Sequence, residues 1–147
     1  MLEYNILSDE WKETNTPMIQ KRYDHSCLMI DQYELMVVGG SSGGYSGVYL
    51  NSSEIFNLKE KTWIRGPDLQ EGIKGAQFVK AKSGFEYIGY VIGGRKDNGG
   101  NKLTDSSTIF GLTQDRKDFK EIGDLHKARS DHVAFVLPES ISEKCGN

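Results

Sequence analysis

Leu35–Gly40 reads LMVVGG and Tyr90–Gly94 reads YVIGG, and these two stretches decide how the chain folds. Each is an apolar, β-branched run closed by paired glycines. That is the pattern of a buried strand ending where the backbone turns or approaches another segment closely. The glycine pairs begin at 39 and 93, a spacing of 54 residues. Working outward, Ser53–Leu58 (SEIFNL) matches Ser107–Leu112 (STIFGL), and a ring in a charged context follows each: Trp63 after Phe56, Phe119 after Phe110. Gly66-Pro67-Asp68-Leu69 then answers Gly123-Asp124-Leu125.

Two partial copies flank the full ones. Tyr4-Asn5-Ile6 followed by Trp11 repeats Phe56-Asn57-Leu58 followed by Trp63. Ala128–Phe135 (ARSDHVAF) repeats Lys21–Leu28 (KRYDHSCL), so Arg22, Asp24 and His25 match Arg129, Asp131 and His132. The middle copy, Ile73–Phe78, keeps the spacing with Ile73 and Ala76 in place of Arg and His. A period of this length built from short apolar runs and turn residues marks a repeat architecture. Lys61–Arg65 alternates charge with Trp and Ile, as an outer strand with one wet face does. No stretch of helical length sustains a 3.6-residue period, so the chain is predicted to be all-β.

Composition agrees and excludes several classes. The 147 residues carry 17 glycines against 3 prolines, well above the ~7% glycine of average usage. A net charge of −3 gives no bulk attraction to nucleic acid or anionic lipid. Neither a signal peptide nor an apolar run of membrane-spanning length is present in the sequence given. Cys27 and Cys145 are too few for a disulfide scaffold and too far apart for a zinc site, which favours a reducing, cytoplasmic setting.

With these landmarks, the chain resembles kelch repeats over about residues 1–138. The resemblance implies a partial β-propeller of four-stranded antiparallel blades, at about 22–66 and 73–121. Partial units lie at 1–13 and 128–138, and a polar tail at 139–147. Eleven blade strands are expected: two at 2–6 and 10–13, four in each full blade, and one at 130–137. That number does not close a ring, and a propeller hides its edges by closing. The chain is therefore expected to be the C-terminal part of a larger propeller or a truncated product, open and prone to self-association. Gly39, Gly40, Gly93 and Gly94 are expected to let backbone pass beneath the fourth-strand rings Trp63 and Phe119.

The resemblance further implies a non-catalytic module that binds a protein or peptide through rim loops. A substrate-recognition role in a cullin-type ubiquitin ligase adaptor is one form of it; actin binding, or part of a kelch-containing oxidase or sugar epimerase, are alternatives. The expected partner-binding residues are Tyr45 and Tyr49 in the loop after Gly40, Arg95, Lys96 and Asn98 in the loop after Gly94, and Arg22 and Arg129 where inner strands begin. A structural ion pair is the competing role for the last two, and packing on the blade edge for Tyr49. No catalytic residue, metal site, small-molecule cofactor, nucleic acid or membrane is expected. The run from Gly93 to Lys102 imitates a phosphate loop, but Gly100 stands where Lys is required and no helix follows. His25 beside Cys27 lacks an orienting third group, and His25 and His132 fall in different repeats.

Overall fold

The computed structural model describes residues 2–43, 47–97 and 103–137, and every regular element among them is a β-strand. Two four-stranded antiparallel sheets form the body. In the first, β3 (Ser26–Met29), β4 (Glu34–Val38), β7 (Ser53–Asn57) and β8 (Thr62–Arg65) lie in that order. In the second the order is β10 (Gln77–Lys80), β11 (Tyr87–Ile92), β14 (Thr108–Thr113) and β15 (Phe119–Asp124). A two-stranded hairpin, β1 (Leu2–Asn5) and β2 (Glu10–Glu13), supplies the two outer strands of a third unit.

The repeat is visible in the side chains. Phe56 and Trp63 face each other across β7 and β8 with ring centroids 4.9 Å apart at 38°, and Tyr4 and Trp11 do so in β1 and β2 with the same values. The tight turns of all three outer hairpins carry a non-glycine residue with positive φ: Asp9, Lys61 and Arg116.

The core lies between the two full sheets. Met36, Val38 and Ile55 of the first meet Phe78, Val91, Phe110, Leu112 and Phe119 of the second, all buried. Burying aromatic and aliphatic groups of this size contributes about 1.5–3 kcal/mol each. Polar ties run alongside. The Ser26 hydroxyl donates to the Ala76 carbonyl, and the Gln70 amide to the Phe119 carbonyl. Outside the core, the guanidinium of Arg116 donates to both Asp31 and Glu34 across the gap between sheets. Backbone N–H of Tyr33, with Arg116, holds the Asp31 carboxyl below its ordinary range.

The loops between second and third strands are more ordered than the sequence suggests. β5 (Ser41–Ser42) pairs with β6 (Val48–Tyr49), and β12 (Arg95–Asp97) pairs with β13 (Leu103–Asp105) and with β9 (Ile73–Lys74), which leads into the second sheet. Ten of the eleven expected blade strands are present. The eleventh is not: residues 132–137 form no strand and join none of the described sheets.

The glycine pairs do not serve the purpose expected of them. All four residues have positive φ, from 62° to 102°. What crowds them is backbone, not the rings of Trp63 and Phe119. A Cβ on Gly40 would stand 2.7 Å from the Tyr23 carbonyl oxygen, and one on Gly93 would stand 2.6 Å from that of Arg129. The pairs are junctions between units: Gly40 N–H donates to the Ile73 carbonyl (2.8 Å) and Gly94 N–H to that of Arg129 (2.9 Å). Gly40→Ala should therefore combine left-handed strain with a backbone clash. Gly84, at φ +87° with nothing within 4 Å of its would-be Cβ, isolates the strain alone. Chemical denaturation should show Gly84→Ala costing about 1 kcal/mol and Gly40→Ala at least about 3 kcal/mol.

Candidate functional site

Where the chain leaves one sheet for the next, it crosses the same end of the molecule as the loops after each glycine pair. This rim gathers short segments far apart in sequence: Tyr23–Asp24, Tyr49, Glu71–Lys74, Arg95–Lys96, Asp105 and Ser130. Three links hold them. Tyr23 bridges Ser41 through paired backbone hydrogen bonds of 3.0 and 2.8 Å, β9 pairs with β12, and Arg129 N–H donates to the Ser106 carbonyl.

Arg95 and Lys96 are both on this rim, and neither is a free cation. Arg95 lies opposite Asp105 in the β12–β13 register, and its Nε reaches the carboxylate at 3.3 Å. Its Nη2 donates to Ser130 Oγ at 3.2 Å, while that hydroxyl donates to Asp105 at 2.9 Å, closing a three-membered network. The Ser130 hydroxyl first, then Arg95, hold the Asp105 carboxyl below its ordinary range. Lys96 Nζ is paired with Glu71 at 3.1 Å. Both cations are about one-third exposed, so the charges on each pair remain within reach of a partner.

Tyr49 is half-buried, and with Tyr23 it flanks a third cation. Lys74 Nζ lies 5.4 Å from the Tyr49 ring centre and 5.6 Å from that of Tyr23, and contacts Asp24 at 3.2 Å. Burial works against the charge on that amine, but Asp24 and the two tyrosines outweigh it and raise its pKa. Arg129 is exposed, its Nε donating to the Lys127 carbonyl at 3.3 Å. Tyr45 and Asn98 lie outside the described residues.

Arg22 is the correction. Its side chain has no exposed surface and forms a 2.6 Å ion pair with buried Glu54. Nη1 also donates to the carbonyls of Gly39 (2.8 Å) and Ser52 (2.9 Å), and Glu54 accepts the backbone N–H groups of Ile19 and Gln20. No face of that guanidinium is left for a partner. The repeat explains why only one unit has this pair: Ile73 and Thr108 stand where Arg22 and Glu54 stand, both buried, so the second unit fills the same place with a largely apolar pair.

Sequence reasoning missed Tyr23, Glu71, Lys74, Asp105 and Ser130. One signal was available: Arg95 and Asp105 are symmetric about the 98–102 loop, as cross-strand neighbours in a hairpin are. The others depend on contacts between units. Among the described residues no group of three or more His, Cys, Asp or Glu could hold a metal ion, and no helix is long and apolar enough to cross a membrane.

Residues 21–70 match the family model described as the Kelch motif. That span runs from the Arg22 junction through the whole first sheet to the start of the rim segment at Glu71. No curated protein matches the chain.

Two outcomes test the polar architecture. Arg22→Ile alone strands Glu54 and should cost about 3–5 kcal/mol, whereas Arg22→Ile with Glu54→Thr, copying the second unit, should recover a large part of it. His25 and His132 are both held below the ordinary histidine pKa of 6.5, chiefly by burial. A depressed histidine favours the folded state above the unfolded pKa and loses that contribution as pH falls through the folded value. Thermal stability should thus decline on acidification from near neutrality through 6.5, and the His25→Gln, His132→Gln variant should flatten that decline.

Proposed function

We propose that this chain, whose residues 21–70 match the Kelch motif, is a protein-interaction module that takes a peptide segment of a partner on the rim described above. The observation that carries this reading is the convergence of Tyr23, Tyr49, Lys74, Arg95, Lys96 and Ser130 on one end of the sheets, from five separate stretches of sequence. Such a surface supplies aromatic area with little conformational entropy to lose, and polar groups already oriented by their neighbours.

The chemistry narrows the partner. Each rim cation already has a carboxylate, so a purely acidic peptide would have to compete with Asp24, Glu71 and Asp105 for it. A segment bearing both signs can instead add to the existing pairs, with its backbone reaching Ser130 and an apolar side chain lying on Tyr23 or Tyr49. Arg129 extends the same face toward the C-terminal side. In a cullin-type ubiquitin ligase adaptor, the protein bound here would be the substrate to be modified; the family resemblance motivates that extension.

Affinity capture with the chain immobilised, followed by the same capture with substituted rims, tests the reading. Arg95→Ala and Tyr49→Ala should each weaken retention of the partner about 10-fold or more, and Lys59→Ala, at the opposite end of the first sheet, should leave it unchanged. Retention untouched by both rim substitutions would move the binding face elsewhere.

A further inference from the structure

We infer that residues 131–136 of one copy of this chain dock in the cavity beside β3 of a second copy, so that two copies close head to tail. The cavity measures about 620 Å³ and is largely apolar, with Cys27, Leu35, Val37 and Trp63 among its walls. It lies on the face of the first sheet that β1 and β2 cover only in part.

The repeat identifies the occupant. By position, Cys27, Leu35 and Val37 correspond to Phe78, Gly89 and Val91 of the second sheet. There the corresponding face is covered, because β3 packs on β10. Leu28 lies so close to Gly89 that a Cβ on the glycine would be 2.7 Å from Leu28 Cδ2. The segment that repeats β3 is 128–135, and Phe135 takes the place of Leu28. Val133 and Phe135 are 82% and 73% exposed, with half-buried His132 and Ala134 before each, so both apolar side chains face outward.

Transferred through the repeat, Phe135 of a second copy falls against Cys27 and Leu35. The closed junction assembles Leu28, Phe78 and Gly89; the open one would assemble Phe135, Leu35 and Cys27. Both sets hold one leucine, one phenylalanine and one small residue. The backbone can match as well. Gly75 N–H donates to the Asp24 carbonyl and Asp131 N–H to that of Gly75, each at 2.9 Å, and Asp24 N–H is the equivalent donor toward Asp131 of the second copy. In this arrangement the docked segment takes the lane of β3 in the unit whose outer strands are β1 and β2. Each copy then accounts for two four-stranded units and, with its neighbour's segment, a third that has the first, third and fourth strands but no second. Two copies make six, within the 4–8 of closed propellers, whereas one or three copies fall outside it.

Sedimentation equilibrium of the 147-residue chain between ~1 and ~100 µM should give twice its 16.5 kDa. Phe135→Asp, at an exposed position that tolerates charge in the monomer, should weaken association about 100-fold. Ile64→Asp, exposed on the other face of β8 from Trp63, should leave it intact. In a Cys145→Ser background, Cys27 should resist maleimide in the assembled chain and react once Phe135→Asp is added. A monomer at every concentration, which would leave the cavity to a different polypeptide, overturns the inference. So does a dimer indifferent to Phe135→Asp, or an open ladder of larger species.

Discussion

The hydrogen bond from the second glycine of each pair to the next unit's first residue is the constraint on which the rest depends. Gly40 reaches Ile73 and Gly94 reaches Arg129, and in doing so each ties the end of a second strand to the start of the following sheet. Only a residue without Cβ fits, because φ is positive and a carbonyl lies where the side chain would be. With that junction fixed, the face of Met36, Val38 and Ile55 is brought against Phe78, Phe110 and Phe119. The rim segments then have nowhere to go but alongside one another. The proposed binding surface is thus a by-product of how units are joined.

Much of this was legible in the sequence. The double glycines, the SEIFNL and STIFGL runs and the rings after them gave the strand order of both sheets, and Tyr4 with Trp11 gave the isolated hairpin. The purpose of the glycines was not legible. Their positive φ follows from composition, but the neighbour that crowds them comes from the adjacent unit, and one repeat read alone cannot reveal it. The same limit hid the rim. Arg95 and Asp105 are hairpin partners and could be paired by counting, whereas Lys74 reaches Tyr49 and Tyr23 only because β9 crosses over to β12.

Arg22 and Arg129 show how identical residues at identical repeat positions diverge. Arg22 has Glu54 on the third strand of its own sheet and disappears into the interior. Arg129 begins a unit whose third strand is not among the described residues that follow it, and its side chain stays in solvent. The fate of such an arginine is decided about 30 residues downstream, at the glutamate position, which the second unit fills with Thr108 while changing its arginine to Ile73. Burial of an ion pair gains little over a well-packed apolar pair, so both solutions can coexist in one protein.

Asp24, Gly75 and Asp131 share a left-handed backbone and form a relay in which each passes its carbonyl to the N–H of the next. Because every step of that relay is alike, nothing in it counts how many have gone before. Duplicating or deleting a whole module re-forms the same bond at the seam. Inserting one amino acid between this position and the strand it leads into, a spacing that is the same at Asp24–Ser26 and Gly75–Gln77, would break it. Lineages built on such a seam are free to change in whole modules while staying rigid about phase, and the outer hairpins, far from the seam, absorb the difference in length.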